Sequence, residues 1–180
     1  NELMKVLSQR ALHDTSSEVR AEAAEAFARC ASLVKAPMAQ HEAMLDALTH
    51  LASSPNAIPA DVMARAMKEQ ASHPENRKAM AKRQTLMVAL GQIALSNESS
   101  RSAKENVCSA LLDLSSDDEN NRVLIATPLT LEALVQNSVD RGENHSTIRQ
   151  YSVETLLNLA VIPSNRKNMA NHASLLQSLL

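Results

Sequence analysis

The stretch KENVCSALLDLSSDDENNRVLIA, residues 104–126, decides how the rest of the chain is interpreted. Its apolar residues recur at helical spacing as far as Leu114, an acidic turn follows, and a second helical pattern begins at Asn121. The stretch is either an isolated helical hairpin or one unit of a repeat. Comparing the chain with itself distinguishes these two interpretations.

The second half of this stretch recurs in the chain. NRKAMAKRQTLMVAL begins at Asn76, NRVLIATPLTLEALV at Asn121 and NRKNMANHASLLQSL at Asn165, and the three align without gaps. Four positions after each Asn stands Met or Ile, and Ala always follows it, so these positions are predicted to be core. The period is about 45 residues, and a weaker copy, VKAPMAQHEAMLDAL, begins at Val34.

The first half of the stretch also recurs. KENVCSALLDLSS (104–116) aligns with RQYSVETLLNLAV (149–161), more loosely with RAEAAEAFARCAS (20–32), and least well with ADVMARAMKEQAS (60–72). Each unit is therefore predicted to contain a long amphipathic helix, a short helix and a further amphipathic helix, stacked on its neighbours. A single domain over 1–180 is predicted, with an N-terminal capping helix and four units, as a piece of a longer chain. The boundaries are 1–15 for the capping helix and 16–57, 58–99, 100–143 and 144–180 for the units.

The composition is that of a helical protein. The chain has one Tyr, one Phe, no Trp and two Gly, whereas sheets favour β-branched and aromatic residues and hairpins that need Gly. Since 44% of the residues are hydrophobic, the chain can bury a core. The predicted fold class is all-α.

Charge and cysteine content narrow the function classes. A formal net charge of -2 gives no signal for a polyanion, and the lack of aromatic residues disfavours binding of single-stranded nucleic acid. No run approaches the roughly 20 apolar residues of a membrane span. Cys30 and Cys108 lie in apolar helical patterns, which predicts buried, reduced thiols and a cytoplasmic or nuclear location.

The repeat units resemble the armadillo repeat family. The family pattern, (K/R)-E-N-A-x-x-A-L-x-N-L followed by E-N-(R/K)-x-x-I, is matched closely by KENVCSALLDLSSDDENNRVLIA and nearly as well by RQYSVETLLNLAVIPSNRKNMA. The resemblance covers residues 16–180 and is most specific from 75 onward, while SSEVRAEAAEAFARCASL is similar to a HEAT repeat. It implies a right-handed α-α superhelix, an armadillo-like solenoid, in which the longest helix of each unit lines the concave face and binds partner proteins or extended peptides.

Carried over by position, the resemblance also implies binding residues. The Asn that clamps the ligand backbone in peptide-binding members falls on Glu69, Asp113 and Asn158, and less surely on Arg29. The Trp one turn earlier falls on Arg65, Ser109 and Glu154. Since only Asn158 keeps the family residue, we expect a ligand held by polar and ionic contacts from a surface of mixed charge.

No pattern in the chain points to catalysis, a cofactor or a metal. The six histidines form no helical pair with a carboxylate, the acidic turn lacks the alternating ligands of a calcium loop, and two glycines leave no phosphate-binding loop. The expected function is a non-catalytic protein-interaction scaffold or adaptor, without a small-molecule substrate. The basic run of residues 77–83 is either a solvated helix face or a docking patch.

The alternative function is structural. The chain would then be a spacer or oligomerisation segment of a larger protein, including the substrate-binding armadillo part of a ubiquitin ligase, since ENVCSALLDLSSDDENN is also similar to repeats that follow U-box domains. The C-terminal ASLLQSLL (173–180) is apolar, whereas terminal repeats normally carry a polar outer face. This edge is a predicted contact for a second copy or a partner.

Overall fold

The computed structural model describes residues 2–33, 42–52, 59–116, 119, 122, 124, 127–142 and 145–172. Within these residues all regular secondary structure is helical, which confirms the all-α class. The longer helices are α1 (Glu2–His13), α2 (Ser17–Leu33), α3 (Glu42–Ala52), α4 (Ala60–Ala71), α5 (Pro74–Ala81), α6 (Gln84–Leu95), α7 (Arg101–Leu114), α8 (Pro128–Val139), α9 (Ser146–Ala160) and α10 (Pro163–Ala170). Most of the weaker repeat copy, the pair Asp117 and Asp118, the residues Asn121 and Ile125, and the apolar end 173–180 lie outside the described residues.

The helices form two sets, and each helix packs against the next member of its own set. One set contains α2, α4, α7 and α9, and the other contains α1, α3, α6 and α8. The two sets contact each other through the pairs α1 with α2, α6 with α7, and α8 with α9. Because the long helices are amphipathic, most of their apolar side chains face these neighbours while their polar side chains remain accessible.

One apolar cluster extends through the described helices, from Ala11 in α1 to Met169 in α10. Met80 and Met169 are both buried, which confirms the core positions predicted from the repeat. Cys108 is buried as expected, but Cys30 is only partly buried, and both are free thiols. The prediction for Cys30 was therefore correct in its oxidation state and wrong in its degree of burial.

The set containing α1, α3, α6 and α8 is held at one point by a close helix crossing. A β-carbon built on Gly91 of α6 would lie 2.9 Å from the carbonyl carbon of Leu129 in α8. Beside this crossing, the buried Thr130 donates its hydroxyl hydrogen to the carbonyl of Met87 at 3.1 Å. The absence of a side chain at Gly91 thus lets the two backbones approach.

The Asn-Arg pair at 76–77 closes the C-terminal end of α4. Arg77 donates from Nε to the carbonyl of Ala71 at 2.8 Å, and the buried Asn76 donates from Nδ2 to Oε1 of Gln70 at 3.1 Å. The last carbonyls of a helix lack partners within the helix, so a donor from the next segment satisfies one of them.

The Asn-Arg pair at 165–166 does the same for α9. Arg166 donates from Nε to the carbonyl of Ala160 at 2.6 Å, and the buried Asn165 donates to the carbonyl of Leu159 at 3.3 Å. These bonds support an architectural role for the recurring Asn-Arg pair in both units. In the middle unit, Asn121 is outside the described residues, so that pair stays a prediction.

Candidate functional site

The six predicted binding residues lie on three successive long helices, α4, α7 and α9. On each helix, residues four apart share a face, so the predicted positions and the residue one turn before them form three short rows. We call these nine residues the polar grid. They are Asp61, Arg65 and Glu69 on α4, Glu105, Ser109 and Asp113 on α7, and Gln150, Glu154 and Asn158 on α9. None of the nine is buried.

The single cation of the polar grid, Arg65, has an acidic partner inside the protein. Arg65 forms a salt bridge with Glu25 of α2, and Glu25 is bonded at 2.8 Å to Arg29 as well. Hydrogen bonding from Arg29, and then from Arg65, lowers the pKa of the Glu25 carboxyl. Arg65 therefore links two long helices, and the single carboxylate of Glu25 offsets only part of the positive charge of Arg29 and Arg65.

Asp113 is tied to the short helix that precedes α6. Nη2 of Arg77 lies 3.2 Å from Oδ1 of Asp113, and Nη1 of Arg77 donates to the hydroxyl of Ser116 at 2.6 Å. Burial raises the pKa of the Asp113 carboxyl, and the positive charges of Arg77 and Lys68 oppose that rise. The acidic residue at the ligand-clamping position is thus held by an arginine of its own chain.

Asn158, the only grid residue that keeps the family identity, also has an internal partner. Its Nδ2 donates to the hydroxyl oxygen of Ser115 at 2.8 Å, which joins α9 to α7. This bond uses one of the two amide hydrogens and leaves the carbonyl oxygen as an acceptor. On the same helix, Glu154 accepts a hydrogen bond from Gln150 at 2.9 Å.

The carboxylates that remain give the polar grid an acidic character. Glu69, Glu105 and Glu154 form no ion pair with a cation among the described residues, while Asp61 accepts a hydrogen bond from Ser100. The expected mixed charge stays a prediction, since Arg65 shares the single carboxylate of Glu25 with Arg29 and its side chain is 42% exposed. The i,i+4 spacing of Glu25 and Arg29 is visible in the sequence, whereas the contacts of Arg65 and Arg77 with other helices carry no local signal.

The basic run of α5 and the following turn is engaged by acids of other segments. Lys78 and Lys82 lie 2.9 and 3.8 Å from the carboxylate oxygens of Glu119, and Arg83 lies 2.8 Å from Asp46 of α3. These pairs are partly exposed, so each contributes little stability, on the order of 0–1 kcal/mol. They do, however, leave this run with less free positive charge than its sequence indicates.

An open cleft of about 340 Å³ lies where α8 and α10 meet. Among its lining residues, Ser164 and His172 are not joined by any hydrogen bond recorded for the described part of the chain. The nearest carboxylate oxygen recorded for His172 is Oε2 of Glu132, 4.0 Å from Nε2. Among the described residues of the cleft, no nucleophile–base contact of the kind used in acyl transfer is therefore found.

The described residues form neither a metal site nor a membrane-spanning helix. No three His, Cys, Asp or Glu side chains converge there as metal ligands would. Nor does any helix in the described ranges combine the length and apolar character needed to cross a membrane. The polar grid, whose nine residues are all at least partly accessible, is the candidate surface.

Comparison with known proteins supports the fold alone. No protein-family model matches the chain, and no curated protein is significantly similar to it in sequence. Among solved structures, the chain is similar to the crystal structure of an engineered protein, with a TM-score of 0.70 and 24% sequence identity. The match covers 97% of this chain and 69% of that chain. At this identity the likeness concerns the helical architecture.

Proposed function

We propose that this chain is a non-catalytic protein-interaction scaffold of the armadillo type. Its helices would form a right-handed superhelical solenoid, and α4, α7 and α9 would line the concave face. A partner protein, or an extended segment of one, binds across the polar grid. The accessibility of all nine grid residues on three stacked helices is the observation that carries this proposal.

The order of the helices supports this architecture. Long helices that succeed each other at repeat spacing pack side by side, and the same polar positions recur on each of them. A surface of this kind extends over residues far apart in sequence, which suits an elongated ligand better than a small molecule. Proteins built from stacked repeats commonly use such surfaces for binding.

The free charges of the grid indicate the chemistry of the partner segment. Glu69, Glu105 and Glu154 present carboxylates without an internal cation, so lysine or arginine side chains of the partner would complement them. Such contacts lie in a partly exposed surface and are weakened by salt. The proposed ligand is therefore a cationic segment whose binding falls as ionic strength rises.

The test uses variants that change the free grid charges without breaking an ion pair. Asp113→Lys and Asn158→Ala also perturb binding on this proposal, but they remove the contacts to Arg77 and Ser115 and so change stability as well. Replacing both Glu105 and Glu154 by Lys breaks no ion pair among the described residues and removes only the exposed hydrogen bond from Gln150 to Glu154. The probe is a fluorescent nonapeptide rich in Lys and Arg, compared by anisotropy with a Glu-rich counterpart.

We expect saturable binding of the basic peptide, weakened about tenfold or more by the double variant, since several like charges then face the ligand. The matched control, Glu18→Lys with Glu98→Lys, makes the same change of net charge away from the grid and should retain most of the affinity. Equal binding of the acidic peptide, or equal losses in both double variants, would contradict the proposal.

A second candidate is a structural segment that joins larger assemblies through its ends. Three apolar residues on or next to α9 are exposed, and they favour this candidate. They are Val153 (43%), Leu157 (62%) and Val161 (69%). The C-terminal leucines proposed for this contact lie outside the described residues. Light scattering tests the candidate: a dimer at high protein concentration that is lost in Leu157→Glu would support it, and a monomer at all concentrations would not.

A further inference from the structure

The cleft where α8 and α10 meet contains a cation without an acidic partner. Arg122 lines this cleft and is exposed, and no ion pair or hydrogen bond of its guanidinium is recorded for the described part of the chain. A second open cleft, beside α1, is also lined by an arginine, but Arg10 there donates to Asp14 at 2.9 Å. The unpaired positive charge thus distinguishes the cleft of Arg122.

The equivalent arginines of the neighbouring units are used within the chain. Arg77 donates from Nε to the carbonyl of Ala71, and Arg166 donates from Nε to that of Ala160, in each case to the residue six positions earlier. Among the described residues no such bond is recorded for Arg122, although it has the same place in the repeat. Its N–H groups are therefore available to a group outside the chain.

Two polar residues of α10 add further hydrogen-bond donors to the same cleft. Ser164 and Asn168 both line it, are exposed and lie one turn apart. Neither side chain has a hydrogen bond recorded in the described ranges. The backbone N–H of Ser164 also has no recorded acceptor, since Ile162 at the N-cap of α10 offers no side-chain oxygen.

His172 gives an independent indication of a ligand. Its Nδ1 atom is buried and has no hydrogen-bond partner, while its Nε2 atom lies 4.0 Å from Oε2 of Glu132. Buried polar atoms are normally bonded, so an unpaired one in the wall of a cleft favours a polar group bound there. In the tautomer that carries hydrogen on Nδ1, the imidazole is one more donor.

We propose that this cleft binds a phosphate monoester group. The guanidinium of Arg122 offers parallel N–H donors for two phosphate oxygens, and Ser164 and Asn168 donate to the remaining one. A phosphate monoester has three acceptor oxygens and more than one negative charge at neutral pH, so it uses more of these donors than the two oxygens of a carboxylate can.

The surroundings of the cleft agree with this ligand class. No carboxylate is among its described lining residues, and Glu132 faces His172 from outside that lining. The cleft volume of about 340 Å³ lies at the lower end of the range of ligand sites, roughly 300–1,000 Å³. The site is formed by α8, α10 and Arg122, and it does not depend on binding at the polar grid.

The test is an NMR titration of the full chain at constant ionic strength, observed through the backbone amides. The probes are inorganic phosphate and N-acetylphosphoserine methylamide, with acetate as the carboxylate control. We expect saturable shifts of the Ser164 and Asn168 amide signals with both phosphate probes. Tighter binding of the phosphoserine derivative would support the site and assign its ligand to a phosphorylated segment. Tighter binding of inorganic phosphate would support it as a site for a free anion.

Three variants make the test specific to the cleft. Arg122→Gln should weaken phosphate binding about tenfold or more, because charge-assisted hydrogen bonds are lost. Asn168→Asp, which keeps the size of the side chain, should abolish binding by placing a carboxylate beside the anion. The matched control is Arg101→Gln, which removes an exposed helical arginine outside the cleft and should leave binding unchanged.

Three results would overturn the proposal. The first is the absence of saturable shifts with either phosphate probe. The second is equal affinity in Arg122→Gln and the unchanged protein, and the third is acetate binding as tight as that of phosphate. The substituted side chains are exposed and make no recorded bond within the described residues. We therefore expect each variant to fold, which circular dichroism melting checks.

Discussion

At the scale of single residues, the arginine of the recurring Asn-Arg pair connects repeat units as well as closing a helix. Arg77 closes the end of α4, bonds to Asp113 of the next long helix and donates to Ser116. Its side chain is 18% exposed, so these bonds are only partly screened by water. The guanidinium therefore couples two units, which its local sequence does not reveal.

Arg77→Ala should destabilise the protein by about 2 kcal/mol, because it removes a helix-closing donor and leaves the half-buried Asp113 without its cation. Arg77→Lys should recover only part of this loss, since an ammonium cannot make the several directed bonds of a guanidinium. The free energy of unfolding, measured in urea, checks both values.

The control is a double-mutant cycle with Asp113→Ala. If the ion pair couples α5 to α7, the losses of unfolding free energy in the two single variants should add up to more than the loss in the double variant. Simple additivity would show that Arg77 acts only on the end of α4. The cycle thus separates the closing role of Arg77 from its contact with the next unit.

At the scale of helices, the crossing of α6 and α8 depends on a missing side chain. Glycine in a helix interior normally costs roughly 0.5–1 kcal/mol relative to alanine. Gly91→Ala should nevertheless destabilise the protein by about 1–3 kcal/mol, because the new β-carbon would meet the Leu129 backbone at 2.9 Å and that of Thr130 at 3.0 Å. Thermal melting measures the change.

Gln92→Ala provides the comparison for this prediction, since Gln92 is exposed on the same helix and should change stability by less than about 0.5 kcal/mol. A more stable Gly91→Ala protein would mean that the two helices can separate at little cost. The crossing was not predictable from the repeat pattern, because the aligned position carries Gln136 in the next unit.

At the scale of the whole molecule, the continuous apolar cluster predicts a cooperative unit. Phe27 in α2 is 1% exposed, and Phe27→Ala should cost about 3–5 kcal/mol. Because stacked repeats are coupled through their interfaces, this loss should also reach α9, which carries Tyr151, the one tyrosine of the chain.

Two probes check this prediction during denaturation with urea. Tyrosine fluorescence reports on α9, while circular dichroism at 222 nm reports on all helices. Both midpoints should shift together in Phe27→Ala and should stay nearly unchanged in Val139→Ala, an exposed control. An unchanged tyrosine transition would show that the first and last units unfold independently.

The repeat pattern was sufficient to predict the helical class, the alternation of long and short helices, and the core positions Met80 and Met169. These follow from local chemistry, since apolar spacing and a shortage of strand-forming residues act within each segment. The armadillo resemblance assigned the six predicted binding residues to the long helices, and they lie on three successive long helices in the structure. It did not predict that Cys30 is only partly buried, because burial depends on what packs against α2.

The sequence by itself determined which residues form helices and which faces are polar, because helical periodicity is a local property of the chain. The tertiary structure decided which charges remain free. Arg65 and Glu25, and likewise Arg77 and Asp113, are far apart in sequence and meet only when the long helices stack. Which carboxylates of the polar grid have a cation of the same chain beside them thus depends on three-dimensional contacts, since electrostatic pairing acts through distance and not through chain order.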